Sequence, residues 1–191
     1  MKIAQVAPLI ESVPPRLYSG TERIVSYLTE ELVRIGHDVT LFASGDSITS
    51  AELAPCRKRA LRLDPAVRDT IPHFMLMIDK VRDRAEEFDV LHFHIDLFHF
   101  PLFRTLADRT LTTLHGRQDL GDLKPFYHRF GEMPLVSISN DQRKPLRTLI
   151  LWRPFTTASR PACICRRLSR EVTLLSWGGF RRKSARTVRL E

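Results

Sequence analysis

The sequence predicts an α/β protein built on a Rossmann-like, doubly wound parallel sheet, and three observations carry that prediction. Short apolar runs at residues 3–7, 39–43, 89–94, 110–114 and 135–139 have the length and residue types of strands. Several of the stretches between them have helical spacing instead. Strands alternating with helices argue for crossover units on one parallel sheet rather than for hairpins.

The first strand (3–7) leads through a loop into a helix. Its apolar residues Ile24, Leu28, Leu32 and Ile35 recur at helical spacing and would cover a sheet face. Gly36 stands where a helix C-terminus wants a left-handed residue. The turn Ser19-Gly20-Thr21-Glu22 leaves free backbone N–H groups at the start of this helix, an arrangement that suits phosphate. No G-x-G-x-x-G is present, so an ordinary β-α-β unit without a ligand stays open beside that reading. Residues 45–64 read as a polar, basic connection. Residues 66–88 read as a helix with Phe74, Met77, Ile78 and Val81 on one face, broken or restarted at Pro72. The strand 89–94 is followed by a short helix over 97–106, and the strands 110–114 and 135–139 complete the pattern.

In such sheets ligands bind beyond the carboxyl ends of the strands. The sequence places Ser44 and Gly45, His94 to Asp96, His115 and Gly116, and Ser139 and Asn140 at those ends. His92 and His94 alternate on one strand and share a face, with His99 a few residues on. An H-x-H pair completed by His115 or Asp96 could ligate a metal. Packed imidazoles with hydrogen-bonded nitrogens are the alternative.

A chain of 191 residues suffices for one α/β domain with a sizeable core. The formal charge of +8 suggests an anionic partner, but its distribution does not. Residues 147–191 hold eleven Lys/Arg against two acids, whereas residues 1–146 hold nineteen against twenty. The domain expected over 1–146 is therefore close to neutral, and all the basicity lies after it. Cys56, Cys163 and Cys165 make no disulfide framework and no zinc spacing. No apolar run has the length of a membrane span and no signal-peptide pattern opens the chain, so a cytoplasmic protein is expected.

Three segments, Val6-Ala7-Pro8, Ser19 to Arg23 and Gly36 to Phe42, together resemble the N-terminal, acceptor-side domain of family 4 glycosyltransferases. The resemblance implies a retaining, nucleotide-sugar-dependent hexosyltransferase of the two-Rossmann-domain (GT-B) architecture. Its partners would be a nucleotide-sugar donor and an acceptor hydroxyl, with no metal or other cofactor. In that family the first loop usually carries a Gly-Gly pair that meets donor phosphates or acceptor; here Ser19 replaces the first glycine, and Ser19, Gly20 and Thr21 inherit the substrate-binding role. LHFHID resembles the family's DVVHxH strand and puts His94 on the acceptor side. TTLHG makes His115, followed by Gly116, the residue lining the sugar site near the transferred group. A neutral imidazole there can hydrogen-bond a sugar hydroxyl or steady developing charge; capping of loop carbonyls is the alternative. Ser137-Ile138-Ser139 with Arg143 resembles an SxxxxxR segment, in which Ser139 faces substrate or caps the next helix.

The family's donor-binding G-R-x-x-x-x-K and E-x7-E segments do not occur as written. Residues 147–191 read as a basic, disordered tail or as an out-of-frame translation. Back-translated with third bases chosen freely and read one base earlier, residues 175–190 give AFLGRISPEKRADRAI, which resembles the missing phosphate-binding segment. Residues 151–159 likewise permit VATVYHGLP. The expectation is thus a truncated enzyme, residues 1–146, lacking its C-terminal Rossmann domain and inert alone. The alternative is a small Rossmann-like binding protein whose polybasic tail meets nucleic acid or an anionic surface. Trp152, Phe155, Trp177 and Phe180 lack the spacing that such a tail needs, so no nucleic-acid partner is expected.

Overall fold

The computed structural model describes residues 1–146. They form, in order, β1 (Lys2–Val6), α1 (Gly20–Arg34), β2 (Asp38–Ser44), β3 (Glu52–Arg57), α2 (Ile71–Asp83), β4 (Val90–Phe93), α3 (Phe100–Phe103), β5 (Thr110–Leu114), α4 (Leu123–Arg129), β6 (Leu135–Ser137) and α5 (Asn140–Arg143). The six strands make one sheet in the order β3-β2-β1-β4-β5-β6, with every pairing parallel. The chain first winds outward from β1 to β3 and then restarts at β4 on the other side of β1. Crossovers therefore diverge between β1 and β4, which leaves a crevice at the carboxyl ends of those two strands.

Strand parity decides which side chains meet which helices. Ala4, Val6, Phe42, Leu91, Phe93, Leu114 and Leu135 point to one face and pack with Phe74, Met77, Ile78 and Val81 of α2, Phe100 and Phe103 of α3, and Tyr127 of α4. Ile3, Val39, Val90, Leu111 and Val136 point to the other and pack with Leu28 and Leu32 of α1. Both faces are covered, as the near-continuous apolar runs of the strands require. The register aligns Gln5 with His92 across β1 and β4. That pairing matters below.

Several expectations are corrected. The connection over 45–64 contains β3, paired with β2 at the edge of the sheet. Its sequence, ELAPCR, is half-exposed and carries a proline and charges, which an edge strand tolerates and a central strand does not. The buried stripe of α1 is Glu22, Val25, Ser26, Leu28, Thr29 and Leu32, so Ile24 is half-buried and Ile35 lies 42% exposed at the C-cap. Two hydroxyl residues and a carboxylate take positions the spacing gave to apolar side chains, and the loop after β1 supplies the carboxylate, Glu22, with partners in Ser19 and the Glu11 N–H. The helix expected over 66–88 begins at Ile71 with Pro72 in its first turn, where the missing N–H costs nothing. The helix over 97–106 shortens to Phe100–Phe103, followed by a 3-10 turn. The helix α4 was not foreseen. Gly36 does take the left-handed conformation, with φ +89°. The readings of the basic segment 147–191 lie outside the described residues.

Candidate functional site

The carboxyl ends of β1, β4, β5 and β6 bring most of the expected residues to one edge of the sheet. His92, His94, Thr113 and His115 share the α1 face with Gln5 of β1, and they are linked end to end. The Gln5 amide nitrogen donates to His92 Nδ1 at 3.2 Å, and the Gln5 oxygen accepts from His94 Nε2 at 2.9 Å. His92 Nε2 meets the Thr113 hydroxyl at 2.8 Å, and His94 Nδ1 meets His115 Nε2 at 3.0 Å. All four ring nitrogens of His92 and His94 are thereby taken by protein partners, so none is left for a metal. Among the described residues no group of three or more His, Cys, Asp or Glu is arranged to hold one.

Burial keeps these rings neutral. It pushes His92 down to about 3 and His94 well below the usual histidine range, with neighbouring imidazoles adding to the effect, and it pushes His115 down to about 4. Gln5, His92 and His94 lie within the sheet, whereas His115 is half-buried at the end of β5. The network thus runs from the interior to the crevice and ends on His115.

Asp96 holds the turn in which His115 sits. It follows β4 with φ +50°, a left-handed conformation uncommon outside glycine, and its Oδ1 accepts the His115 N–H at 3.2 Å. Burial raises its pKa, while the backbone N–H groups of His115 and Gly116 act in the opposite direction. A Cβ on Gly116 would lie 3.3 Å from Asp96 Oδ2, so glycine lets the carboxylate approach the chain. Gln118 and Gln142 both donate to the Gly116 carbonyl, at 3.1 and 2.9 Å, and fix the far side of the turn.

The other expected residues divide. Ser139 caps α5, its Oγ accepting the Gln142 N–H at 3.1 Å, and Arg143 donates through Nε to Ser137. Ser19 makes no cap bond to the amides of α1; its hydroxyl donates to Glu22. The buried Glu22 carboxylate also accepts the Glu11 N–H at 3.2 Å. The N-terminus of α1 already carries a negative group, so a phosphate at Gly20 and Thr21 would face that charge.

Glu11 is a residue the sequence reading missed. Its side chain is fully buried, with Oε1 bound by Arg62 at 3.0 Å and Oε2 without a hydrogen-bond partner among the described residues. Arg62 also donates to the Tyr18 carbonyl at 2.8 Å, which ties the loop after β1 to the segment following β3. A lone carboxylate in the run APLIESVPP was the available signal. Gln5 was missed as well, although a single polar residue inside the apolar strand IAQVA must find a partner.

Two solved structures show a partial likeness. AviGT4, a glycosyltransferase involved in Avilamycin A biosynthesis, is 20% identical with a TM-score of 0.36, the match covering 60% of this chain and 32% of that one. The C-terminal domain of the coenzyme A biosynthesis bifunctional protein CoaBC is 12% identical with a TM-score of 0.43, covering 71% of this chain and 72% of that one. The chain thus spans about a third of the length of AviGT4. No curated protein matches the sequence. The model of Glycosyltransferase Family 4, in contrast, matches residues 18–171, running past Leu146 into the basic segment. That match covers well over half of the chain, and the protein belongs to glycosyltransferase family 4.

Proposed function

We propose that this chain is the acceptor-side domain of a retaining, nucleotide-sugar-dependent hexosyltransferase of the GT-B kind, cytoplasmic and independent of metal. The observation that supports the reading best is His115. Within a glycosyltransferase family domain, it is a histidine held neutral at the mouth of the crevice, on a turn shaped by Asp96 and Gly116. A neutral imidazole suits a sugar hydroxyl, where a cationic one would suit phosphate. In the proposed reaction the nucleoside diphosphate leaves from the face on which the acceptor hydroxyl attacks. The departing phosphate needs a positive cradle, which this reading assigns to a second Rossmann domain. His94 and Gly116 position His115, while Ser19, Gly20 and Thr21 border the crevice from the first loop.

Calorimetric titration of the full chain with UDP-, GDP- and ADP-glucose tests this division of labour. Weak or undetectable heats are expected, and micromolar affinity for any of them would contradict it. Resequencing the gene through the Leu146 codon and well past the Glu191 codon tests the out-of-frame reading of 147–191. A frame opened by one base and encoding GRISPEKR with a second Rossmann domain would support it, and no such frame would end it. The polybasic segment motivates the second reading, a binding protein for nucleic acid. Salt-dependent association with DNA, lost on deleting residues 147–191, would favour that reading instead.

A further inference from the structure

We propose that Gln5 is a positioning residue that locks the tautomers of His92, His94 and His115, so that His115 offers a bare Nδ1 lone pair to its ligand. The argument starts from valence. A neutral imidazole has one N–H and one lone pair, and a primary amide has an oxygen that only accepts and a nitrogen that donates. In the linear series Thr113, His92, Gln5, His94 and His115, each choice of donor therefore fixes the next.

The Gln5 oxygen faces His94 Nε2, so that nitrogen carries the proton and His94 Nδ1 is bare. His115 Nε2, 3.0 Å from that bare nitrogen, must donate to it. The proton of His115 is then committed inward, and Nδ1 is left as an acceptor. On the other side the Gln5 nitrogen donates to His92 Nδ1, so His92 donates from Nε2 to the Thr113 hydroxyl. An amide does not surrender its proton near neutral pH, so Gln5 interrupts any transfer along the series. It is a lock and not a wire.

The lock stands on the ligand-free geometry. Its consequence for ligand choice rests on the proposed placement of His115 at a sugar. A bare lone pair accepts from a hydroxyl and repels the oxygens of a phosphate or carboxylate. The group seated against His115 Nδ1 is accordingly a hydrogen-bond donor, and the proposed placement at a sugar makes it a hydroxyl.

Long-range ¹H–¹⁵N correlation of the histidine rings in the labelled full chain at neutral pH tests the lock directly. His92, His94 and His115 should each show a protonated Nε2 and a bare Nδ1; a protonated Nδ1 on His115 would overturn the proposal. In Gln5→Glu both carboxylate oxygens accept, so His92 should move its proton to Nδ1 while His94 and His115 stay as they are. In Gln5→Leu, His94 and His115 should lose their single-tautomer signature, and retention of it would also overturn the proposal. Adding millimolar UDP-glucose and, separately, inorganic phosphate then tests the ligand. A shift of His115 Nδ1 with the sugar nucleotide alone supports the hydroxyl preference, and an equal shift with phosphate overturns it. No shift with UDP-glucose, on rings that keep their tautomers, leaves the lock standing and agrees with a donor held by a second domain. Glucose alone, raised until it occupies the crevice, then decides, and failure to move His115 Nδ1 counts against the sugar reading.

Discussion

At the scale of single residues, the crevice depends on close approaches that leave little room for substitution. Asp96 grips the His115–Gly116 turn through backbone N–H groups, and a Cβ at Gly116 would press on its Oδ2 at 3.3 Å. Gly116→Ala should therefore lower unfolding free energy by about 1–2 kcal/mol, as modest overpacking does. It should also broaden the ring signals of His115, because the carboxylate must swing off its donor. Urea titration and histidine ring spectra check the two effects together; an unchanged midpoint with unchanged rings would show that Asp96 is not the clamp described. Arg62 makes a second case. It is the sole cation on the buried Glu11 among the described ion pairs, and half of that carboxylate already lacks a partner. Arg62→Met should destabilise by about 2–3 kcal/mol, the cost of leaving a buried charge unpaired, reduced because Arg62 itself is partly solvated. Glu11→Gln in the same background should recover part of that loss.

At the scale of elements, the two faces of α2 give opposite expectations two residues, or about half a turn, apart. Met77 is fully buried against the sheet, whereas Met75 is 42% exposed. Met77→Ala should cost about 2–5 kcal/mol through the cavity it leaves, and Met75→Ala less than about 0.5 kcal/mol. Equal effects on the urea midpoint would mean that the helix is rotated from the position described. The same helix shows what the sequence could reveal. Its stripe of Phe74, Met77, Ile78 and Val81 was readable because a helix with one covered face writes a 3.6-residue period. The strand β5 was readable to the residue because TLTTL is bounded by charged and glycine-containing turns. The strand β3 was not, since an edge strand half in water has no apolar alternation to show. For the candidate site, the histidines stood out as a motif and their strand-end placement followed from strand parity. Gln5 and Glu11 acquire meaning only from partners up to 89 residues away, which no local pattern records. Asp96, which the sequence put at a strand end, shows its hold on the His115 turn only through a contact.

At the scale of the whole molecule, the sheet carries an unusual amount of buried imidazole, and this makes stability depend on pH in one direction. His92 and His94 are driven well down by burial, reinforced by nearby imidazoles, and His99 and His115 by burial alone. His99 sits on the opposite face, stacked 3.8 Å from Phe93 and bonded to Thr112 at 2.9 Å. An unfolded histidine titrates near pH ~6.5, so below that value the unfolded chain binds protons that the folded chain refuses. The stability these neutral rings contribute is fully present above pH ~6.5 and is lost as pH falls toward the folded values, about 4 for His115 and about 3 for His92. Each ring costs about 1.4 kcal/mol per pH unit over that interval. Four such rings push in the same direction, so the loss on acidification is a property of the whole sheet and not of one residue. The urea midpoint should thus be flat between pH 8 and 7 and fall steadily as pH drops below about 6.5. His99→Gln should shallow the slope by about one proton without touching the crevice. A midpoint unchanged from pH 7 to 5 would mean that the rings are reached by water or already charged, and the neutral network ending on His115 would have to be abandoned.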